Sequence, residues 1–152
     1  MASGEAVLEK LSAYFSFKGR TNRQLYWFTV LCAYAAVLVG VFAVSFIPVV
    51  GPIAGAIGFV LLIWVALAAA VRRLHDRNKS GWWLVAMYLP IAVLGGLSGV
   101  MSRSEPEAAA AVNLLTLPFS LWILIELGFL RGTSGANRFG PDPLQPPAEV
   151  FS

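Results

Sequence analysis

Within RRLHDRNKSGWW, residues 72–83, a histidine adjoins an aspartate and a serine follows five positions after the histidine. His75 could serve as a general base, with Asp76 to orient it and Ser80 as nucleophile. That chemistry needs base and nucleophile within hydrogen-bond reach and a third group holding the base. Adjacent residues on a helix point in different directions, and no other residue is placed by spacing to complete the set. Metal chemistry fares worse, because the chain holds one histidine and one cysteine where a zinc site needs three or four ligands. No glycine-rich phosphate loop of known spacing is present. The residues therefore predict no catalytic group and no cofactor, and the chain reads as a non-enzyme. The arginines suggest a different chemistry. Arg20, Arg23, Arg72, Arg73 and Arg138 offer planar donor forks that match phosphate oxygens, and Tyr26, Trp82 and Trp83 can lie beside acyl chains at the same depth. The competing reading is that these arginines set topology and pair with Asp76, Asp142 and backbone carbonyls.

The elements that must position these residues follow from composition. With 58% of its 152 residues hydrophobic and 12% charged, a soluble domain of this size would lack the polar surface to cover itself. Apolar runs of about 20 residues, the length that crosses roughly 30 Å of hydrocarbon, are read at 25–47, 53–71, 82–101 and 111–130. The first run is too long for a signal-peptide core of about 7 to 15 residues, so it is expected to stay in the mature chain. The organisation read from this is an amphipathic N-terminal segment (1–24), a four-helix transmembrane bundle (25–130) and a Pro/Gly-rich tail (131–152). Cys32, inside the first run, is read as an apolar filler.

Ten of the eleven basic residues lie in three places. Lys10, Lys18, Arg20 and Arg23 precede the first span; Arg72, Arg73, Arg77 and Lys79 follow the second; Arg131 and Arg138 follow the fourth. The positive-inside rule puts these segments, and so both termini, in the cytoplasm. The fold expected is an all-α membrane protein of two antiparallel hairpins, closed by "IPVVGP" and by the loop near residue 105. The formal net charge of +3 is assigned to this bias and to anionic headgroups, not to nucleic acid.

Local signals refine the elements. Thr21 with Gln24 is read as a capping box for the first helix, and Ser80 as the cap of the third. Leu8, Leu11 and Phe15 share one face of a short interfacial helix, with Glu5, Glu9 and Lys10 elsewhere. Gly51 with Gly55, and Gly95 with Gly99, are spaced for close helix approach. Pro90 and Pro118 interrupt the third and fourth spans and are read as kinks, the other reading being freed backbone carbonyls that line a binding site. Glu126 is the acid at membrane depth, either paired with a basic residue of the central loop or a proton or cation site.

Three polar segments, "GRTNR", "RRLHDRNKSG" and "RGTSGANRFGPDP", should meet in one cap, with Arg72 and Asp76 paired at i,i+4 and the last segment turned across the helix ends. "FKGRTNRQLYW", "RRLHDRNKSGWW" and "GANRFGPDP", in this order between apolar spans, resemble the YhaH-like family of small bacterial inner-membrane proteins, a domain of unknown function. The resemblance runs from about Phe15 to Pro143 and includes Gly19, Arg20, Arg23, Trp27, Arg72, Arg73, Leu74, His75, Asp76, Ser80, Gly81, Trp82, Asn137, Gly140, Pro141 and Pro143. Phe139 stands where a tyrosine is frequent, and Asn78 and Lys79 vary the loop before Ser80. It implies a multi-pass protein of the bacterial inner membrane and supplies no reaction. The expected ligand-binding cap comprises Arg20, Arg23, Arg72, Arg73, His75, Asp76, Ser80, Trp82, Asn137 and Arg138. Its expected partners are the bilayer, an anionic phospholipid, a membrane or cytoplasmic protein, or a second copy of the chain. The leading expectation is a membrane interaction module; a small oligomeric transporter or channel component comes second, and an enzyme using His75 third.

Overall fold

A computed structural model describes residues 14–145 together with Gly4 and Ser12. The proposed interfacial helix rests mainly on Leu8, Leu11 and their neighbours and lies outside the described residues. The described chain is helical: α1 (Arg23–Val44), α2 (Val50–Asp76), α3 (Trp83–Met101), α4 (Pro106–Leu114), α5 (Leu117–Ile123) and a π-helical turn, Leu124–Phe129. Four segments are long and apolar enough to cross a membrane by length and composition: α1, α2, α3 and the run Pro106–Phe129.

The segment ends differ from the sequence reading where local chemistry intervenes. The first helix stops at Val44 instead of residue 47, and the chain turns through 45–49 with Val49 at φ 70°. Gly51 makes this turn possible, because a Cβ there would lie 3.0 Å from both the Cα and the carbonyl oxygen of Ser45. The first helix is capped by Asn22, whose Oδ1 accepts from the Leu25 N–H at 2.8 Å. The Thr21–Gln24 capping box is thus not formed; Thr21 uses its backbone N–H on the Arg72 carbonyl (3.2 Å) instead. Ser80 likewise does not cap α3 through its hydroxyl: the helix starts at Trp83, whose N–H takes the Ser80 carbonyl at 3.2 Å.

Pro90 lies inside α3, which continues through it. The fourth span does break, but between α4 and α5, and Pro118 sits in the first turn of α5, where its missing N–H costs no helical bond. The span then widens into the π turn.

Packing is concentrated at one end. Ala70 and Leu74 of α2, Leu84 and Met87 of α3 and Leu127 of the π turn form the buried cluster, with Tyr26, Val71, Trp122 and Ile123 against it. Along most of their length the helices present large apolar side chains outward; Val39 is 70% and Val100 81% exposed. Such a surface is costly in water and suits hydrocarbon. A Cβ added at Gly95 or Gly99 would meet nothing within 4 Å, so the close approach expected there is not made among the described residues.

Candidate functional site: an arginine-stapled polar cap and an ion triad

The cap is built on the end of α2. The last carbonyls of any helix lack intrahelical partners, and here each source of partner can be named. Asn78 adopts the left-handed conformation (φ 57°), which asparagine tolerates better than most residues. That turn sends the Lys79 N–H to the Leu74 carbonyl (2.9 Å) and the Asn78 N–H to the His75 carbonyl (2.9 Å), the pattern that closes a helix at a left-handed residue. The distant polar segments complete the job. Thr133 donates its N–H (2.8 Å) and hydroxyl (2.9 Å) to the Asp76 carbonyl, and Asn137 Nδ2 donates to the His75 carbonyl at 2.9 Å. Arg138 Nη2 reaches the Asn78 carbonyl at 3.0 Å.

Asp76 is the hinge pin of this arrangement. Its Oδ1 accepts from Arg20 Nε (3.1 Å) and Nη2 (3.0 Å), and its Oδ2 from Arg73 Nη1 (2.6 Å). The three side chains are almost fully buried, at 2% (Arg20), 0% (Arg73) and 4% (Asp76) exposure. Arg20 also donates to the carbonyls of Thr133, Gly135 and Gly140. Arg73 donates to Leu127 O at 2.9 Å and to Leu130 O, carbonyls at the end of the π turn. Two arginines thus staple the start of α1, the end of α2 and the tail into one unit. The approach is close enough that any side chain on Gly132 would run into the Asp76 carboxylate.

This corrects the expected Arg72–Asp76 pair. An i,i+4 pair holds its partners along one helix face, but both oxygens of Asp76 are already taken, Oδ1 by Arg20 from outside the helix and Oδ2 by Arg73. Arg72 directs its Nε back to the Ala68 carbonyl at 3.3 Å. His75 stacks flat on Phe139 (centroids 3.9 Å, 5° between planes) and its Nδ1 lies 3.1 Å from Gly19 O. Arg138 covers the other residue of that stack, 4.6 Å from the Phe139 ring. Ser80 lies in the loop before α3, and Trp82 stands 80% exposed beside it. The ring of His75 is held by Gly19 and Phe139, not by either of these. Among the described residues no group of three or more His, Cys, Asp or Glu side chains could hold a metal ion.

Glu126 sits apart from the staple. It is 3% exposed, and its Oε1 accepts from both Arg77 Nε and Lys79 Nζ at 2.6 Å. The central loop therefore supplies two cations to one carboxylate oxygen, which repels rather than attracts a further cation. The Lys79 ammonium also lies 4.8 Å from the Trp83 ring centroid. Two residues on from Glu126, Trp27 Nε1 donates to the Gly128 carbonyl at 3.2 Å, and a Cβ on Gly128 would be 2.7 Å from the indole. Sequence patterning does not single out Gly128 or Arg77 as site residues. The signal for Gly128 is faint: a glycine two positions after the buried acid, in a span otherwise rich in large residues.

Outside the staple a cleft of about 310 Å³ opens between Asn22, Arg23, Arg131, Gly132, Thr133 and Ser134, with Asp76 and Asp142 on its wall. Arg23 and Arg131 are exposed at its rim. Asp142 is engaged by the backbone: its Oδ1 accepts from Leu144 N–H (3.0 Å) and its Oδ2 from Gly135 N–H (2.9 Å). These bonds to its charged form, aided by Arg20, hold its carboxyl below the usual carboxylate range.

Known proteins are similar to this chain in sequence. An uncharacterized protein, YiiR of Escherichia coli (strain K12), is 33% identical over 132 residues, covering 84% of this chain and 86% of its own. Two proteins of the same strain named as inner membrane proteins, YhaI and YhaH, are 28% and 29% identical, each covering 90% of this chain and 92% and 93% of their own lengths. No solved structure matches. The model of the family described as "Protein of unknown function (DUF805)" matches residues 14–141, from just before the first staple segment to the turn that receives Arg20. The chain belongs to that family.

Proposed function

We propose that the chain is a multi-pass protein of the bacterial inner membrane, built as two antiparallel hairpins with both termini in the cytoplasm, and that its cap is a docking module for an anionic group. Ten of eleven basic residues flank the cap end of the spans, which supports the orientation. The relatives named as inner membrane proteins support the location.

The observation that carries the docking reading is the division of labour among the arginines. Arg20 and Arg73 are consumed inside the fold, whereas Arg23 and Arg131 stand exposed on the rim of the cleft. The two acids on the cleft wall are already engaged, Asp76 by arginines and Asp142 by backbone N–H groups. An anion entering the cleft meets the Arg23 and Arg131 guanidinium groups, while the two wall carboxylates are matched in charge by Arg20 and Arg73. The ligand class is the headgroup of an anionic phospholipid or an acidic segment of a partner protein.

The test is retention of phosphatidylglycerol by the intact chain in native mass spectrometry after gentle extraction. With about 1 kcal/mol per surface cation, Arg23→Ala with Arg131→Ala should weaken retention by roughly thirtyfold while the helices remain folded. Equal retention by the wild type and the double variant defeats the reading. Retention of an acidic protein, lost in the same variant, would select the second ligand class.

A further inference from the structure

The Glu126 triad sets two cations against one buried carboxylate and so carries a net positive charge. Two cations, Arg77 and Lys79, approach the same Glu126 oxygen at 2.6 Å each. They repel one another across a few ångströms, and one carboxylate offsets only one of them. Both side chains remain partly open, at 19% and 27% side-chain exposure, whereas Glu126 is buried. Donors are also left over. Arg77 spends Nε on Glu126 and Nη1 on the Arg131 carbonyl, which leaves Nη2 without a partner among the described residues. The Lys79 ammonium has three N–H groups and gives one to Glu126.

The surroundings specify what completes the cluster. Lys79 lies over Trp83, and Trp83 meets Trp122 edge to face at 6.2 Å. Trp83 is 40% exposed. A wall of two indoles descending into a membrane span beside two cations fits a group that is anionic at one end and apolar at the other. We propose that Arg77 and Lys79 form a seat for the phosphodiester of a membrane phospholipid, whose acyl chains lie along Trp83 and Trp122. The monoanionic phosphodiester brings the cluster to neutrality and takes the free Arg77 and Lys79 donors as charge-assisted hydrogen bonds. Glu126 is then a positioning residue: it holds both cations in place and limits their affinity for the phosphate. The seat adjoins the cleft through the Arg131 carbonyl that Arg77 Nη1 bonds, but it uses neither the Arg23 nor the Arg131 side chain and does not depend on the docking reading.

The full chain in detergent is titrated with dioctanoyl phosphatidylglycerol and, separately, with glycerophosphoglycerol, which has the same phosphodiester and no acyl chains. Native mass spectrometry counts the bound molecules. Lys79→Met, which removes the charge and keeps an apolar stem, should weaken lipid binding about tenfold. Glu126→Gln should tighten it by a similar factor, because it deletes the competing negative charge; a merely structural Glu126 would never strengthen binding. Arg23→Ala with Arg131→Ala should leave the Lys79-dependent binding in place, which separates this seat from the cleft. Equal lipid binding by the wild type and Lys79→Met overturns the proposal, and that comparison stands even if the Glu126 variant fails to fold. Binding of glycerophosphoglycerol as strong as that of the lipid overturns the role of the indole wall.

Discussion

Replacing Asp76 with asparagine tests the stapled cap most directly. The substitution keeps the shape of the side chain and removes its charge, so two arginines with 2% and 0% exposure lose their counter-ion. Three charge-assisted hydrogen bonds are affected, at 3.1, 3.0 and 2.6 Å. At about 1.5–3 kcal/mol each a simple sum exceeds any plausible result, because Arg20 makes two of the bonds to one oxygen and such losses do not add. Both guanidinium groups also keep their carbonyl partners at the tail and the π turn. The relevant magnitude is that of removing one partner from a buried ion pair, about 3–5 kcal/mol. Denaturant unfolding of the full chain in mixed micelles should show that loss. Limited proteolysis should cut within 131–145 far faster than in the wild type, since Thr133, Gly135 and Gly140 are tied down through Arg20. Helical content should change little, because the spans are held by their apolar length. Glu105→Gln, at an exposed position, serves as a control expected to stay within about 0.5 kcal/mol. A loss below about 1 kcal/mol for Asp76→Asn with an equally protected tail would refute the staple. Arg73→Ala should resemble Asp76→Asn, so it is unsuitable as a probe of ligand binding.

Two further predictions concern the contacts around that staple. Gly128→Val should destabilise the chain by about 1–3 kcal/mol through overpacking, since the added Cβ would lie 2.7 Å from the Trp27 indole; thermal unfolding of the two proteins in the same detergent decides it, and equal midpoints would contradict the close approach. The tail turn should respond to acid. The folded carboxyl of Asp142 is held below its usual range by hydrogen bonds to its charged form, so its contribution is complete above the ordinary carboxylate pKa of about 3.9 and lost as pH falls through the lower folded value. The Gly135 amide signal should titrate below the ordinary range, and in Asp142→Asn it should not titrate at all.

The membrane spans and the meeting of three polar segments were legible in the amino-acid sequence, because each depends on information carried locally. About 20 apolar residues in a row need no tertiary partner to demand hydrocarbon. The grouping of basic residues at three places along the chain was legible for the same reason. Partner choice was not. The i,i+4 rule offered Arg72 to Asp76, but a rule for residues within one helix is silent about Arg20, 56 positions away. Capping chemistry offered Thr21 and Ser80, yet the geometry of chain entry gave the first cap to Asn22 and left Ser80 in a loop. Glu126 was recognisable as an acid at membrane depth. That two cations share one of its oxygens, with an indole wall beside them, required the end of α2, the start of α3 and the π turn to be packed together. What the linear chain determined by itself was where hydrocarbon and water must lie; which buried charge meets which was decided by tertiary packing, because desolvated ions accept only partners whose positions satisfy every remaining donor and acceptor.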